Sequence, residues 1–433
     1  MLEIFIESLW IIASIMIFLC GIYFSFKLKF IHLSFGKMIK AVKEKSSNEN
    51  NINPFESLTM SLAGRIGVGS LSGIALALYI GGPGVLFWIW VTSFFAASTT
   101  FVESFLAVIF RKKESHNTYQ GGPFYYIRDG LKNKKLAFIY AFIILIAYTG
   151  GFSTMQVNTI SKCVEELVNV KPIIIGIIMA IFTGMMIFGG AKKIAEATSK
   201  LVPMMSLFYM AISLYIIGTN IDLLPKVLID VIESAFNFRA FGGGLLSTFI
   251  IGMQKGIFSS EVGLGTGSIV AGAAENSNPT NGALVQVLGI HIENILFATI
   301  TVFVICLSEY KYIFINDPNG IELTMHAFRY HIGDIGSLFV VITIILFGLS
   351  SIIAGYYYGE SSLKFIMNTN KLDIIILKVV TLIVLIIGSV ISSNLLWTIV
   401  DILVGVMAII NIYALLKLRR IVIEDYGRYK CGK

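Results

Sequence analysis

The stretch FSSEVGLGTGS, Phe258–Ser268, sets one carboxylate, Glu261, among the hydroxyls of Ser259, Ser260, Thr266 and Ser268 and the glycines Gly263, Gly265 and Gly267. A carboxylate among hydroxyls can bind a cation or accept hydrogen bonds, and glycines let a helix stop so that freed N–H and C=O groups face a ligand. The surrounding sequence is apolar enough for a membrane helix, where a carboxylate and an unpaired backbone are both expensive. A second stretch, AGRIGVGSLSG at Ala63–Gly73, has the same character and carries Arg65. Each glycine inside a helix costs about 1 kcal/mol relative to alanine, so two such clusters need a reason. Close helix packing is one; interruption of the helix for binding is the other.

Composition says what must position these residues. The chain has 433 residues, is 56% hydrophobic and 14% charged, and holds 32 Phe but only 26 acids and five His. That is too apolar for a water-soluble protein of this length. Runs long enough to cross ~30 Å of hydrocarbon as helices fall at Ser8–Phe26, Leu58–Tyr79, Val85–Phe110, Ala137–Ile160, Pro172–Gly190, Leu201–Gly218, Leu245–Ala273, Ala283–Leu307, Asp334–Tyr358, Ile374–Ser392 and Leu396–Leu418. The expected fold is therefore an all-α integral membrane protein with about eleven spans. The first run begins after Glu3 and Glu7, without a basic leader or a small-residue cleavage site, so it is expected to be retained. Cys20, Cys163, Cys306 and Cys431 stand singly and suggest neither a disulfide framework nor a metal site.

The net charge of +7 is not spread as a nucleic-acid surface would require. Connections 27–55, 111–135, 191–200 and 359–373 and the tail from 417 carry six, seven, three, two and six Lys or Arg, against two each in 161–171, 219–241 and 308–333. The positive-inside rule then makes the first set cytoplasmic, with the N-terminus outside and the C-terminus inside a plasma (inner) membrane. An odd number of spans demands the same opposition. No nucleic-acid partner is expected; the bilayer is the surrounding solvent.

The two glycine clusters lie five spans apart and so in oppositely directed helices. Interrupted helices at matching positions of two halves mark an inverted-repeat transporter whose site lies near the midplane. The domain plan is a single unit: an accessory helix at 8–26, a first repeat at about 54–218, an outer amphipathic segment at 221–241, a second repeat at about 242–418 and a cytoplasmic tail at 419–433. The segment 221–241 has apolar residues at helical spacing and is expected to lie on the outer surface. The outer stretch Ser308–Gly333 reads as a cover or a simple connection.

On these motifs the chain resembles the alanine or glycine:cation symporters, also called sodium:alanine symporters, from about Pro54 to about Leu418. The resemblance is carried by NPFESLTMSLAGRIGVGSLSGIALALYIGGPGVLFWIWVTSFFAASTTFVESFLAVIFR (Asn53–Arg111), GGPFYYI (Gly121–Ile127), KLVP (Lys200–Pro203), KGIFSSEVGLGTGSI (Lys255–Ile269), GALVQVLGI (Gly282–Ile290) and YYYGE (Tyr356–Glu360). It implies an accessory helix beside a five-plus-five core, symport of a small neutral amino acid with Na+ as coupling ion, and no other cofactor. A monomer is the expected state.

The resemblance also implies site residues. The backbone of Gly67, Val68, Gly69 and Ser70 would hold the substrate carboxylate, with Phe152, Gln156, Phe258, Ser259, Gly263 and Gly355 lining the pocket. Na+ would be held by oxygens of Gly64, Gly67, Ser350 and Ser351, an uncharged oxygen shell suited to a hard cation. Glu261, Arg65 and Glu103 are structural polar residues, Glu261 clasping the broken helix with Arg65 as ionic partner and direct ion ligation as the alternative. Glu103 is expected to meet Lys or backbone at the cytoplasmic end. Departures from the family pattern at Val68, Ser70, Phe152 and Gly355 point to a reshaped pocket, with Phe152 filling space and Gly355 opening one side. His291 and Glu293 raise a proton role, because histidine titrates near neutrality; a neutral histidine bonded between helices is preferred, and Asn158 is weighed as an interhelical hydrogen bond.

Other functions are open but weaker. H+ coupling or altered specificity stays within the same class. A channel would show rings of polar pore residues, an enzyme a nucleophile and base or metal ligands on facing helices. Five scattered histidines offer no such set, and there is no Gly-Lys-Ser/Thr phosphate loop, so an ion gradient is the expected energy source.

Overall fold

The computed structural model of the chain describes residues 2–114, 118–236, 245–308, 320–391 and 393–430. Among them the regular structure is helical except for a two-residue antiparallel ladder, β1 (Lys112–Lys113) with β2 (Tyr119–Gln120), and an isolated bridge between Ile52 and Ala274. Helix α1 (Leu2–Lys27) packs on α5 and α19, and a short α2 (Phe35–Val42) leads to α3 (Pro54–Arg65). Helix α3 starts sharply because Pro54 occupies its first position and Asn53 and Glu56 form a reciprocal capping box. It ends at Arg65. A wider π turn at Gly69–Gly73 follows, then α4 (Ile74–Gly81), and the two halves are bent by 51°.

Helix α5 (Val85–Ile109) is uninterrupted, α6 (Pro123–Tyr125) runs into a π segment at Tyr126–Gly130, and α7 (Lys134–Ile146) joins α8 (Ser153–Val168) through another at Ala147–Phe152. Then come α9 (Pro172–Ile187), α10 (Gly190–Thr219) and α11 (Leu224–Phe236). The expected outer amphipathic segment is helical from Ile221 to Phe236, with Leu228, Ile229, Ile232 and Phe236 exposed; 237–241 lie outside the described residues.

The second interruption separates α12 (Leu245–Ser260) from α13 (Thr266–Ala273). Helix α14 (Pro279–Ile290) continues through a π segment, His291–Phe297, into α15 (Ala298–Cys306). Part of the stretch read as an outer connection is helix α16 (Gly320–Ile332), packed on α4 and the Gly69–Gly73 turn, while 309–319 are outside the described residues. Helix α17 (Asp334–Ile366) runs eight residues beyond its expected end at Tyr358; α18 (Lys371–Gly388) and α19 (Ser393–Lys417) follow, and α20 (Arg419–Lys430) makes most of the tail helical.

Among the described residues each of the eleven expected spans is mainly helical, but seven helices are long and apolar enough alone to cross a membrane, eight with the bent pair α3–α4. The reasons are local. Helix α9 has 16 residues, α18 opens with Lys371 and Asp373 and carries Lys378, and α12–α13 is broken. The packing is inverted relative to a soluble protein: Ile181, Met185, Leu207, Ile383 and Ile387 face outward, while Arg65, Glu103, Glu261 and Glu293 are buried. That is the pattern of a chain solvated by lipid with a polar centre.

Candidate functional site

The centre is built from the two interruptions meeting each other. At Gly69 an added Cβ would lie 3.7 Å from the Cα of Ser259 and 3.8 Å from the Phe258 ring, ordinary contact distances, so the break after α3 packs against the end of α12. The second break is a turn over Glu261–Gly265 in which Glu261, Gly263 and Gly265 all have left-handed φ, 55°, 76° and 76°. That conformation is nearly free for glycine and costs about 1–2 kcal/mol for Glu261.

Glu261 bears this strain because both carboxylate oxygens are engaged: Tyr148 donates to Oε1 (2.8 Å) and Thr266, first residue of α13, to Oε2 (2.7 Å). The clasp across the break therefore exists. Its expected ionic partner does not, since no ion pair joins Glu261 to Arg65 among the described residues. Arg65 donates from Nη1 to the Gln286 carbonyl (3.1 Å), and its Nε and Nη2 have no hydrogen-bond partner. The guanidinium lies in the space left by Gly267 and Gly289, which draws it to α13 and α14. Glu103 sits at the start of α13, taking the Gly265 N–H (3.1 Å) and the Asn411 amide (2.9 Å). A carboxylate there satisfies an orphan donor and complements the helix dipole. Asn411 also donates to the Gly263 carbonyl, and Tyr140 donates to that of Leu264.

At the first break, the Val68 N–H donates to Gln156 Oε1 (3.0 Å), so Gln156 on α8 caps freed backbone. Gly67 lies against both Gln156 and the Ser351 hydroxyl, with no room for a side chain. Ser351 on α17 donates to the Ala63 carbonyl (2.8 Å) and reaches the Ile66 carbonyl (3.4 Å). The oxygens gathered by Ser351 are thus those of Ala63 and Ile66, one residue before the expected Gly64 and Gly67. The register has a cause: the Gly67 carbonyl accepts from the Ser70 N–H, and Gly64 faces Tyr358 and Glu261. Ser350 turns away, donating to Phe347 (2.8 Å) on its own helix.

Around these groups are aromatic rings. Phe152 stacks on Tyr148 (centroids 4.6 Å apart) and Phe258 (5.4 Å), and Phe258 also meets Trp397 and Trp10 of α1. Gly355 does not open the expected space, because the Tyr148 carbonyl oxygen and ring would lie 3.4 and 3.6 Å from an added Cβ. Asn158 ties α8 to the end of α18 through the Gly388 and Ile391 carbonyls, and His291 bonds the His32 carbonyl (2.8 Å).

The polar residue that sequence reading undervalued is Glu293. It accepts from Ser70 (2.7 Å) and from Ser259, one on each side of the meeting breaks. Its only signal in the sequence was an acid in an apolar run.

Interrupted helices, a polar interior and an apolar outer surface define a multi-pass membrane protein. The chain matches the sodium:alanine symporter family over residues 1–433 and belongs to that family, one of Na+-coupled amino-acid transporters and not of enzymes. It is 34% identical to the probable sodium/glutamine symporter GlnT of Bacillus subtilis, over 98% of this chain and 90% of that one. It is also 34% identical to the sodium/alanine symporter AgcS of Methanococcus maripaludis, covering 90% and 86%. A solved Na+-coupled sialic acid symporter shares the fold with a TM-score of 0.50 at 11% identity, over 95% of this chain and 82% of the other.

Proposed function

We propose that this chain is a Na+-coupled symporter of a small neutral amino acid, working by alternating access. The observation that carries this reading is the Ser351 hydroxyl over the Ala63 and Ile66 carbonyls at the end of α3. Three neutral oxygens from two helices suit Na+ without trapping it, and Ser351 would rotate its proton away to ligate. Next to them, the backbone of Gly67–Ser70 and the amide of Gln156 take the amino-acid carboxylate and ammonium, Gln156 offering donor and acceptor. Phe152 and Phe258 close over the side chain and favour a small one.

Ion and substrate couple because both hold the break of α3–α4 in one arrangement. In this reading α3–α10 and α12–α19 are the inverted repeats, the eleven helical spans all cross, α1 is accessory and the N-terminus is outside. Alanine and glutamine, cargoes named in two relatives, are the first substrates to try.

Equilibrium binding tests it. Labelled alanine, glycine and glutamine are offered to the detergent-solubilised chain in Na+ or in K+. At least one should bind at least tenfold more tightly in Na+; equal binding in both ions would remove Na+ from the site.

A further inference from the structure

Glu293 is buried at the point where both interrupted helices meet, yet only half of its carboxylate is accounted for. Oε1 accepts from Ser70, in the π turn after α3, and from Ser259, at the end of α12; Oε2 is buried with no hydrogen-bond partner. The π segment His291–Phe297 aims two successive residues at α12, since Asn294 donates to the Gly256 carbonyl (3.1 Å) while its own Oδ1 is unpartnered. Two hydroxyls from the two interrupted helices thus meet at one oxygen of a buried carboxylate whose other oxygen is unmet.

Charge points the same way. Among the described residues, Glu103, Glu261 and Glu293 share the buried centre with a buried Arg65. Glu261 has a neutral donor on each oxygen, whereas Glu103 takes both of its donors on Oε2 and leaves Oε1 without a hydrogen-bond partner; what sets Glu293 apart is that its two donors come one from each interrupted helix. Arg65 on α3, Glu261 between α12 and α13 and the Tyr209 phenol on α10 are the titratable groups that interact with Glu293, and no ion pair reaches it among the described residues. A carboxylate oxygen left bare in a low-dielectric interior costs several kcal/mol; a bound cation removes that cost.

We propose that Glu293, Ser70 and Ser259 form a second cation site, separate from Ala63, Ile66 and Ser351, and that its occupant, Na+ or a proton, travels with the amino acid. The proposal rests on the symport reading above. Bound there, one positive charge ties the two breaks together. Release of it frees Ser70 from Ser259 and lets the halves of the core part.

The test uses the full chain in proteoliposomes. Labelled amino acid, radioactive Na+ and internal pH are followed together, giving cations moved per substrate. The wild type should move at least two. Glu293→Gln, which keeps the shape and removes the charge, should lose one. Loss of a Na+ assigns the site to sodium and loss of a proton to H+, and either supports the site. Glu293→Gln transporting with the wild-type number of each cation would overturn it.

Should Glu293→Gln fail to assemble, Ser259→Ala keeps the carboxylate. It should raise the half-saturating concentration of one cation about tenfold, and unchanged Na+ and pH dependence would overturn the proposal. A wild type that moves no amino acid with any cation contradicts the symport reading itself, a result distinct from intact coupling with an unchanged Glu293→Gln.

Discussion

Ser351 and Phe152 touch different parts of the centre, and their removal should be felt differently. Ser351→Ala deletes one oxygen over the Ala63 and Ile66 carbonyls. A single such contact is worth about 1 kcal/mol net, so the Na+ half-saturation in an uptake assay should rise about five- to tenfold while the order of preferred amino acids holds. An unchanged Na+ response would take Ser351 out of the ion site. Phe152→Ala removes the ring stacked between Tyr148 and Phe258; competition assays should show longer neutral amino acids gaining on alanine, and unchanged selectivity would place that ring outside the pocket. Sequence made Ser351, Gln156 and Phe152 legible because they occupy motif positions. It could not show that Ser351 meets Ala63 and Ile66, since that register depends on where the helix unwinds. It could not show that Glu293 meets Ser70 and Ser259, because those partners come from helices far apart in the chain.

At the scale of the element, the turn between α12 and α13 is where local propensity and tertiary bonds must agree. The glycines announced an interruption, and it falls where they stand. The left-handed Glu261 is less readable, because nothing local favours that conformation; the hydroxyls of Tyr148 and Thr266 impose it. Glu261→Gln replaces one accepting oxygen with a donor facing another donor. The loss should be about 1–3 kcal/mol, seen as a lower Tm in detergent, and an unaltered Tm would show that the clasp contributes nothing. Helix ends were the other uncertainty: α17 overran its expected end because Glu360 and Lys364 pair one turn apart (2.8 Å) and extend the helix past the apolar run.

Across the whole molecule, the loop before α3 and the start of α3 are stitched to the rest of the fold by carboxylates. Glu275, just past α13, accepts from Ser46, Ser47 and the Asn51 amide, while Lys192 pairs with Glu56 at the start of α3 (2.8 Å). Partial burial pushes the Glu275 carboxyl up, but the hydrogen bonds from Ser46, Ser47 and Asn51 outweigh it and hold the group at about 2 instead of the ordinary 4.5. A depressed carboxyl stabilises the folded state above about 4.5, and that contribution is lost as pH falls toward about 2. Glu275→Gln should therefore melt earlier than wild type at pH 7, with the gap narrowing by pH 3; a gap independent of pH would contradict this sign. The all-helical membrane class was plain from composition, since lipid leaves few other ways to satisfy a backbone. The count was not, because α9, α12–α13 and α18 fall short in length or apolarity when taken alone.

The central claim is that an inward Na+ gradient drives amino-acid movement through this centre. The direct measurement is accumulation of labelled alanine, glycine or glutamine in proteoliposomes under imposed Na+ gradients of graded size, with a Na+ ionophore added at the end. Internal amino acid should rise above the external level, in step with the gradient, and fall back when the ionophore collapses it. Accumulation that never exceeds the outside level, or that is indifferent to the Na+ gradient, would contradict it.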